Sequence, residues 1–79
     1  MTVAELKQLL VAAGISDEAY DLTGGHPNEA YVLDFDGRHW NVYYSERGIE
    51  SGTRDFTSEA DACDYLYKVL IRDPTTACP

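Results

Sequence analysis

The sequence predicts an α+β fold, a two-layer sandwich in which a three-stranded antiparallel meander carries an N-terminal and a C-terminal helix on one face. Aromatic and β-branched residues fill the segment from Tyr31 to Phe56. Asp-Gly at 36–37 and Arg-Gly at 47–48 divide this segment into three runs, which is typical of hairpins. Apolar residues at helical spacing flank it on both sides, so the predicted order is helix, short helical turn, three strands, helix.

The first helix is predicted from about Val3 to Ala13. Thr2 and Glu5 have the spacing of a capping box, and Gly14 is suited to the residue after the helix end. Ser16-Asp17-Glu18 is a second start signal, because a serine cap is followed by two acidic residues. It predicts a short helical turn or a packed loop before a loop over residues 23–28.

In the first hairpin we expect Asp36 and Gly37 to form a two-residue loop, with Leu33 opposite Trp40. Because strand side chains alternate between faces, one face is then the core face. It collects Tyr31, Leu33, Phe35, Trp40, Val42 and Tyr44. The other face, exposed to water or a partner, collects Val32, Asp34, Asp36, His39, Asn41, Tyr43 and Ser45.

Two registers are possible for the third strand. A two-residue loop at 47–48 places Ile49 opposite Glu46 and leaves Phe56 on the polar face. A three-residue loop with Gly48 in a left-handed bulge places Phe56 on the side of Trp40. We prefer the bulged loop because it buries Phe56.

The last helix begins after a cap at Thr57 or Ser58 and ends before Pro74. Its buried stripe is predicted to contain Ala62, Cys63, Leu66, Val69 and Leu70. Residues 1–73 therefore form one domain, and 74–79 a flexible C-terminal tail. Cys63 is expected to be a small core residue, reduced and unpaired with Cys78.

Fourteen acidic and six basic residues give a net charge of −8. Such a chain is repelled by nucleic acid and by anionic membranes, so neither is an expected partner. The excess of acidic residues is consistent either with a chain that its charge keeps soluble or with one that binds a basic protein. The N-terminus has no basic and apolar leader, and we expect a cytoplasmic protein.

Catalytic and metal-binding patterns are absent from the sequence. The two histidines, His26 and His39, belong to no metal-ligand spacing, and no serine or cysteine stands beside a base. Thr23-Gly24-Gly25 precedes a strand and no lysine follows, which excludes a P-loop. The sequence therefore predicts a protein that is not an enzyme and that has no cofactor and no metal.

The candidate site is the polar face of the meander. Carboxylates there can pair with Arg or Lys, and Tyr43 can serve as a desolvated anchor. The alternative is that this is only the hydrated side of a half-exposed sheet. The partner-binding residues predicted are Asp34, Asp36, His39, Asn41, Tyr43, Glu46 and Glu50.

Two stretches carry a resemblance to a family. A capped helix ends in Ala13-Gly14-Ile15 ahead of Tyr20, and the segment from Trp40 to Gly48 is followed by the segment from Phe56 to Cys63. From about Leu6 to Leu70 the chain resembles small immunity proteins of bacterial polymorphic toxin systems, contact-dependent or secretion-linked.

The resemblance implies an acidic cytoplasmic inhibitor, a monomer alone and a heterodimer with one cognate toxin, often a basic nuclease. The alternatives are an acidic interaction module or DNA mimic without a toxin, and a small-ligand or catalytic domain centred on His39.

Overall fold

The computed structural model describes residues 1–23, 29–47 and 49–73. Four strands form one sheet in the order β1-β2-β3-β4, in which β1 runs parallel to β2 and the other neighbours are antiparallel. This confirms the small α+β fold, with four strands rather than three. The elements are α1 (Val3–Ala12), β1 (Tyr20–Asp21), β2 (Ala30–Phe35), β3 (Trp40–Glu46), β4 (Ile49–Phe56) and α2 (Glu59–Arg72).

The additional strand, β1, replaces the short helical turn predicted after Ser16. The serine hydroxyl does accept from the Glu18 amide at 3.3 Å, and the Ala19 amide donates to the Ser16 carbonyl at 3.0 Å. The turn stops there, and Tyr31 N–H donates to the Ala19 carbonyl at 2.9 Å. One helical turn fixes several residues for one hydrogen bond, whereas pairing with β2 satisfies the backbone and buries Tyr20.

Helix α1 begins and ends as the sequence predicted. Both hydrogen bonds of the Thr2–Glu5 capping box form, at 3.0 and 3.2 Å. At the other end Gly14 has a φ of +76°, and Ile15 N–H reaches back to the Leu10 carbonyl at 3.0 Å. This is a Schellman ending, and it turns Ile15 into the core under the helix end.

The first hairpin has the predicted faces but not the predicted register. Phe35 pairs with Trp40 and Leu33 with Val42, so four residues, 36–39, connect the strands instead of two. The shift is two residues, and an even shift leaves every side chain on its face. The longer loop is favoured because the Asp36 carboxylate accepts from backbone amides inside it.

The second hairpin combines parts of both expected registers. Glu46 pairs with Ile49, as a two-residue loop requires, yet Phe56 lies opposite Trp40. The register changes between Val42 and Tyr44, where β4 contains Gly52 with a φ of +62°. The bulge that turns Phe56 toward the helices therefore lies within the strand and not in the loop.

The core lies between the sheet and the two helices. The predicted stripe of α2 is buried except for Val69, which is half-buried. The helices are tied together where they begin, because Val3 N–H donates to Glu59 Oε2 at 3.0 Å. At the rim, Trp40 is half-buried and Phe35 is 49% exposed. The buried cluster comprises Leu6, Leu10, Ile15, Tyr20, Leu33, Val42, Ala62, Cys63, Leu66 and Leu70.

Some predictions fall on residues outside the described ranges. They are the loop at 24–28 with His26, the left-handed conformation of Gly48, and the tail at 74–79 with Pro74 and Cys78. Within the described ranges, neither helix is both long and apolar enough to cross a membrane.

Candidate functional site

The sheet face turned away from the helices, called the outward face below, is acidic. Pairing places Asp21 beside Val32 and Asp55 beside Asn41 on this face. Among the described residues, no Lys or Arg occupies an outward position on any of the four strands. The outward positions are Asp21, Ala30, Val32, Asp34, Asn41, Tyr43, Ser45, Glu50 and Asp55.

Tyr43 lies at the centre of the outward face and is buried, with 4% of its surface exposed. It pairs directly with Val32, which is fully buried. Burial raises the pKa of the Tyr43 hydroxyl, and the charges of Glu50, Asp34 and Asp21 raise it further. The ring of Tyr43 is therefore already packed within the chain, and its role as a desolvated anchor for a partner stays a prediction. The charges of three carboxylates act on its hydroxyl.

Asp36 and His39 belong to the connection between β2 and β3, not to the strand surface. Asp36 Oδ1 accepts from the backbone amides of Arg38 and His39, both at 2.8 Å. Asp36 Oδ2 accepts from the side-chain amide of Asn41 at 3.3 Å. These bonds, led by the His39 and Arg38 amides, lower the pKa of Asp36 to about 2. Its carboxylate holds the loop together, while His39 is exposed in the turn.

Glu46 and Glu50 stand on different sides of the sheet. Glu50 pairs with Ser45 and faces outward, as predicted. Glu46 is two residues after Tyr44 at the end of β3, so its side chain lies on the same, helix-facing side of the sheet. The structure thus brings together Asp34, Asn41, Tyr43 and Glu50, and separates them from Asp36, His39 and Glu46.

Asp21 and Asp55 are the outward residues that sequence reasoning missed. Asp21 joins the face only because β1 pairs with β2, and no strand signal marks a two-residue strand. Asp55 faces outward only because of the bulge at Gly52. A glycine inside a strand pattern is a signal for such a bulge.

The described part of the chain gives little support to a metal site, a reactive cysteine or a pocket centred on His39. No group of three or more His, Cys, Asp or Glu side chains there could hold a metal ion. Burial raises the pKa of the free thiol of Cys63 to about 11, which keeps it protonated and unreactive at neutral pH. Two surface cavities have volumes of about 370 and 330 Å³, and His39 lines neither of them.

Compared with protein-family models, with curated proteins and with solved structures, the chain has no match. What this face can do therefore follows from its charges, its burial and its hydrogen bonds.

Proposed function

We propose that the chain is an immunity protein, which binds a cognate bacterial toxin in the cytoplasm and neutralises it through the outward face. The toxin domain is basic, and a nuclease fits best because its active site is built for phosphates. One observation carries the proposal: the outward face holds the carboxylates Asp34, Glu50 and Asp55, and its described strand positions hold no base.

Asp34 is the central residue of the proposed contact. Its side chain is half-buried, and within the described ranges it makes no hydrogen bond or ion pair. A partly desolvated carboxylate without a partner gains more from an incoming Arg or Lys than a hydrated one does. We therefore assign Asp34 the role of the residue that pairs with a cation of the toxin.

The exposed carboxylates around Asp34 have a different role. Glu50 and Asp55 are exposed, so ion pairs formed by them are screened by salt and contribute little to affinity. Their field instead steers a basic partner toward the face and raises the association rate. Tyr43 is buried on the central strand β3, between β2, which carries Asp34, and β4, which carries Glu50 and Asp55.

The experiment tests protection and binding together. The candidate toxin is the C-terminal domain of the protein encoded immediately upstream, expressed from an inducible plasmid. Wild type should restore growth, and the double variant Asp34→Lys/Glu50→Lys should not. Calorimetry should show its affinity reduced by at least about 100-fold, as expected when one buried charge pair worth about 2–5 kcal/mol is lost.

The matched control is Glu18→Lys/Asp64→Lys. It makes the same change of net charge with two exposed carboxylates that lie off the outward face, in the turn after α1 and on α2. It should protect and bind like wild type. If both double variants lost protection and affinity equally, only the net charge of the chain would matter. If Asp34→Lys/Glu50→Lys protected cells fully, the outward face would be excluded as the binding site. Absence of binding by wild type would exclude the immunity role.

A further inference from the structure

A second feature lies on the opposite side of the sheet, between β2–β4 and the C-terminal half of α2. It is a surface cavity of about 330 Å³, called the tyrosine groove below. Four tyrosines line it, Tyr31, Tyr43 and Tyr44 from the sheet and Tyr65 from the helix, together with Val42, Val69 and the segment Ser51–Gly52. Tyr43 is buried, whereas Tyr31, Tyr44 and Tyr65 are half-buried, so these three are packed and still accessible.

The rings of the groove are arranged as binding surfaces for a cation. Tyr31 and Tyr44 meet edge to face, with ring centroids 5.0 Å apart. Tyr65 already binds a guanidinium, because Arg54 lies 5.5 Å from its ring centroid and donates from Nε to its hydroxyl at 3.1 Å. The negative face of an aromatic ring attracts such a cation at this distance.

The end of the groove that contains Tyr31 and Tyr44 is negatively charged. Burial raises the pKa of both hydroxyls, and the charge of Asp73 raises the pKa of Tyr31 further. For Tyr44 the next contributions come from Glu46, then Glu29, then Asp73. The C-terminal end of α2 adds the negative end of a helix dipole, which the positive charge of Arg72 in the last turn offsets in part. A cation placed here would meet aromatic faces and carboxylates at once.

We propose that the tyrosine groove receives the guanidinium group of an arginine side chain from a partner protein, at the Tyr31–Tyr44 end. Charge complementarity selects a cation, and the paired rings select a planar one that can stack while donating hydrogen bonds to carboxylates. Tyr31 and Tyr44 lie on the helix side of the sheet, although the groove also reaches Tyr43 of the outward face. The proposed arginine site does not depend on the proposed toxin.

The first test uses the short peptide Ac-Gly-Arg-Gly-NH2 as probe, titrated into the folded chain at low salt and followed by NMR of the aromatic side chains. The Tyr31 and Tyr44 signals should shift, and those of the Phe35–Trp40 pair at the other end of the sheet should not. A peptide with citrulline in place of arginine keeps the shape and removes the charge. It should bind at least about fivefold more weakly, as loss of a cation–π contact predicts.

The second test uses two variants at one ring. Tyr44→Phe keeps the aromatic face and should bind the peptide like wild type, whereas Tyr44→Leu should bind about fivefold more weakly. Retained amide dispersion in the NMR spectrum checks that Tyr44→Leu is folded. The proposal would be overturned if the citrulline peptide or a lysine peptide bound as tightly as the arginine peptide. It would also be overturned if the signals of Phe35 and Trp40 shifted as much as those of Tyr31 and Tyr44. The citrulline comparison decides even if Tyr44→Leu does not fold.

Discussion

The two faces of the sheet are both buried at their centres, but they differ in what surrounds the buried residues. On the helix side, Leu33 and Val42 are covered by apolar side chains of α1 and α2 and ringed by aromatics such as Trp40 and Phe56. On the outward face, Val32 and Tyr43 are as well buried and are ringed by carboxylates. The apolar rim of the first face contributes stability, while the acidic rim of the second is the surface that we propose for a partner.

This difference separates two roles that residues of one strand can have. In β2, Leu33 and Asp34 are neighbours in sequence and point to opposite faces. Replacing the first should change the free energy of unfolding, and replacing the second should change binding. Each prediction below tests one side of that division.

The largest effect is expected from truncating the helix side. Leu33→Ala removes a side chain that is 1% exposed and should lower the free energy of unfolding by about 2–5 kcal/mol, because it leaves a cavity in the core. Its neighbour Val32 is fully buried on the outward face. Val32→Ala should cost about 1.6 kcal/mol, the value for two methyl groups. Urea denaturation with tryptophan fluorescence measures both.

The comparison of Leu33→Ala with Val32→Ala is informative in either direction. A larger loss for Val32→Ala would mean that the outward face is the main packed layer, and that its acidic rim has a structural role. Two equal losses would remove the distinction between the faces as sources of stability.

The fold was predictable from the sequence wherever a local signal acts alone. The Thr2–Glu5 box, the Gly14 ending and the apolar stripe of α2 all depend on neighbours within a turn or two. The division of the strand residues between two faces was correct because parity survives an even shift of register. The predicted exposure of the second face was wrong at Val32, Tyr43 and Ser45, which are buried. The two-residue strand β1 was not predictable, because it is created by pairing with residues of β2 that lie eleven positions later in the sequence.

The candidate site was predictable only in part, for a related reason. Asp34, Asn41, Tyr43 and Glu50 follow from strand alternation, which needs only the sequence. Whether Tyr43 is exposed depends on the packing around it, which alternation does not show. Asp36 was assigned to the strand face, but an aspartate before glycine can serve the turn itself, and here its hydrogen bonds do so.

A smaller effect is expected at the bulge that assigns Phe56 and Asp55 to their faces. An added Cβ at Gly52 meets nothing within 4 Å, so space does not limit a side chain there. The backbone conformation is the limit, because the φ of +62° at Gly52 is left-handed and costs a residue other than glycine about 1–2 kcal/mol. Gly52→Ala should be destabilised by that amount, as measured by urea denaturation.

The control at the same position is Gly52→Asn, which should lose less stability, since asparagine tolerates the left-handed region better than alanine. If alanine and asparagine cost the same, backbone strain is not the cause. If alanine costs nothing, β4 has an alternative register, and the outward position of Asp55 depends on it.

The smallest effect is expected at Asp36, where an acidic residue near the outward face has an internal role. Its pKa is about 2 in the folded chain against an ordinary value of 3.8. A lowered carboxylate pKa stabilises the fold above pH 3.8, and this contribution is lost as the pH falls from 3.8 toward 2. Asp36→Asn removes the charge, so wild type should exceed the variant in stability at pH 5 and approach it near pH 2.

Thermal unfolding by circular dichroism at pH 5, 3 and 2 measures the convergence of wild type and Asp36→Asn. Asp36→Ala is the companion variant, because it also removes the acceptor used by the Arg38 and His39 amides. It should be less stable than Asp36→Asn at every pH, because an amide oxygen can still accept these hydrogen bonds and a methyl group cannot. A constant gap between wild type and Asp36→Asn from pH 5 to 2 would mean that the loop does not use the charge. Asp36 would then be free for a partner, and the acidic surface would extend beyond the outward face to the β2–β3 turn.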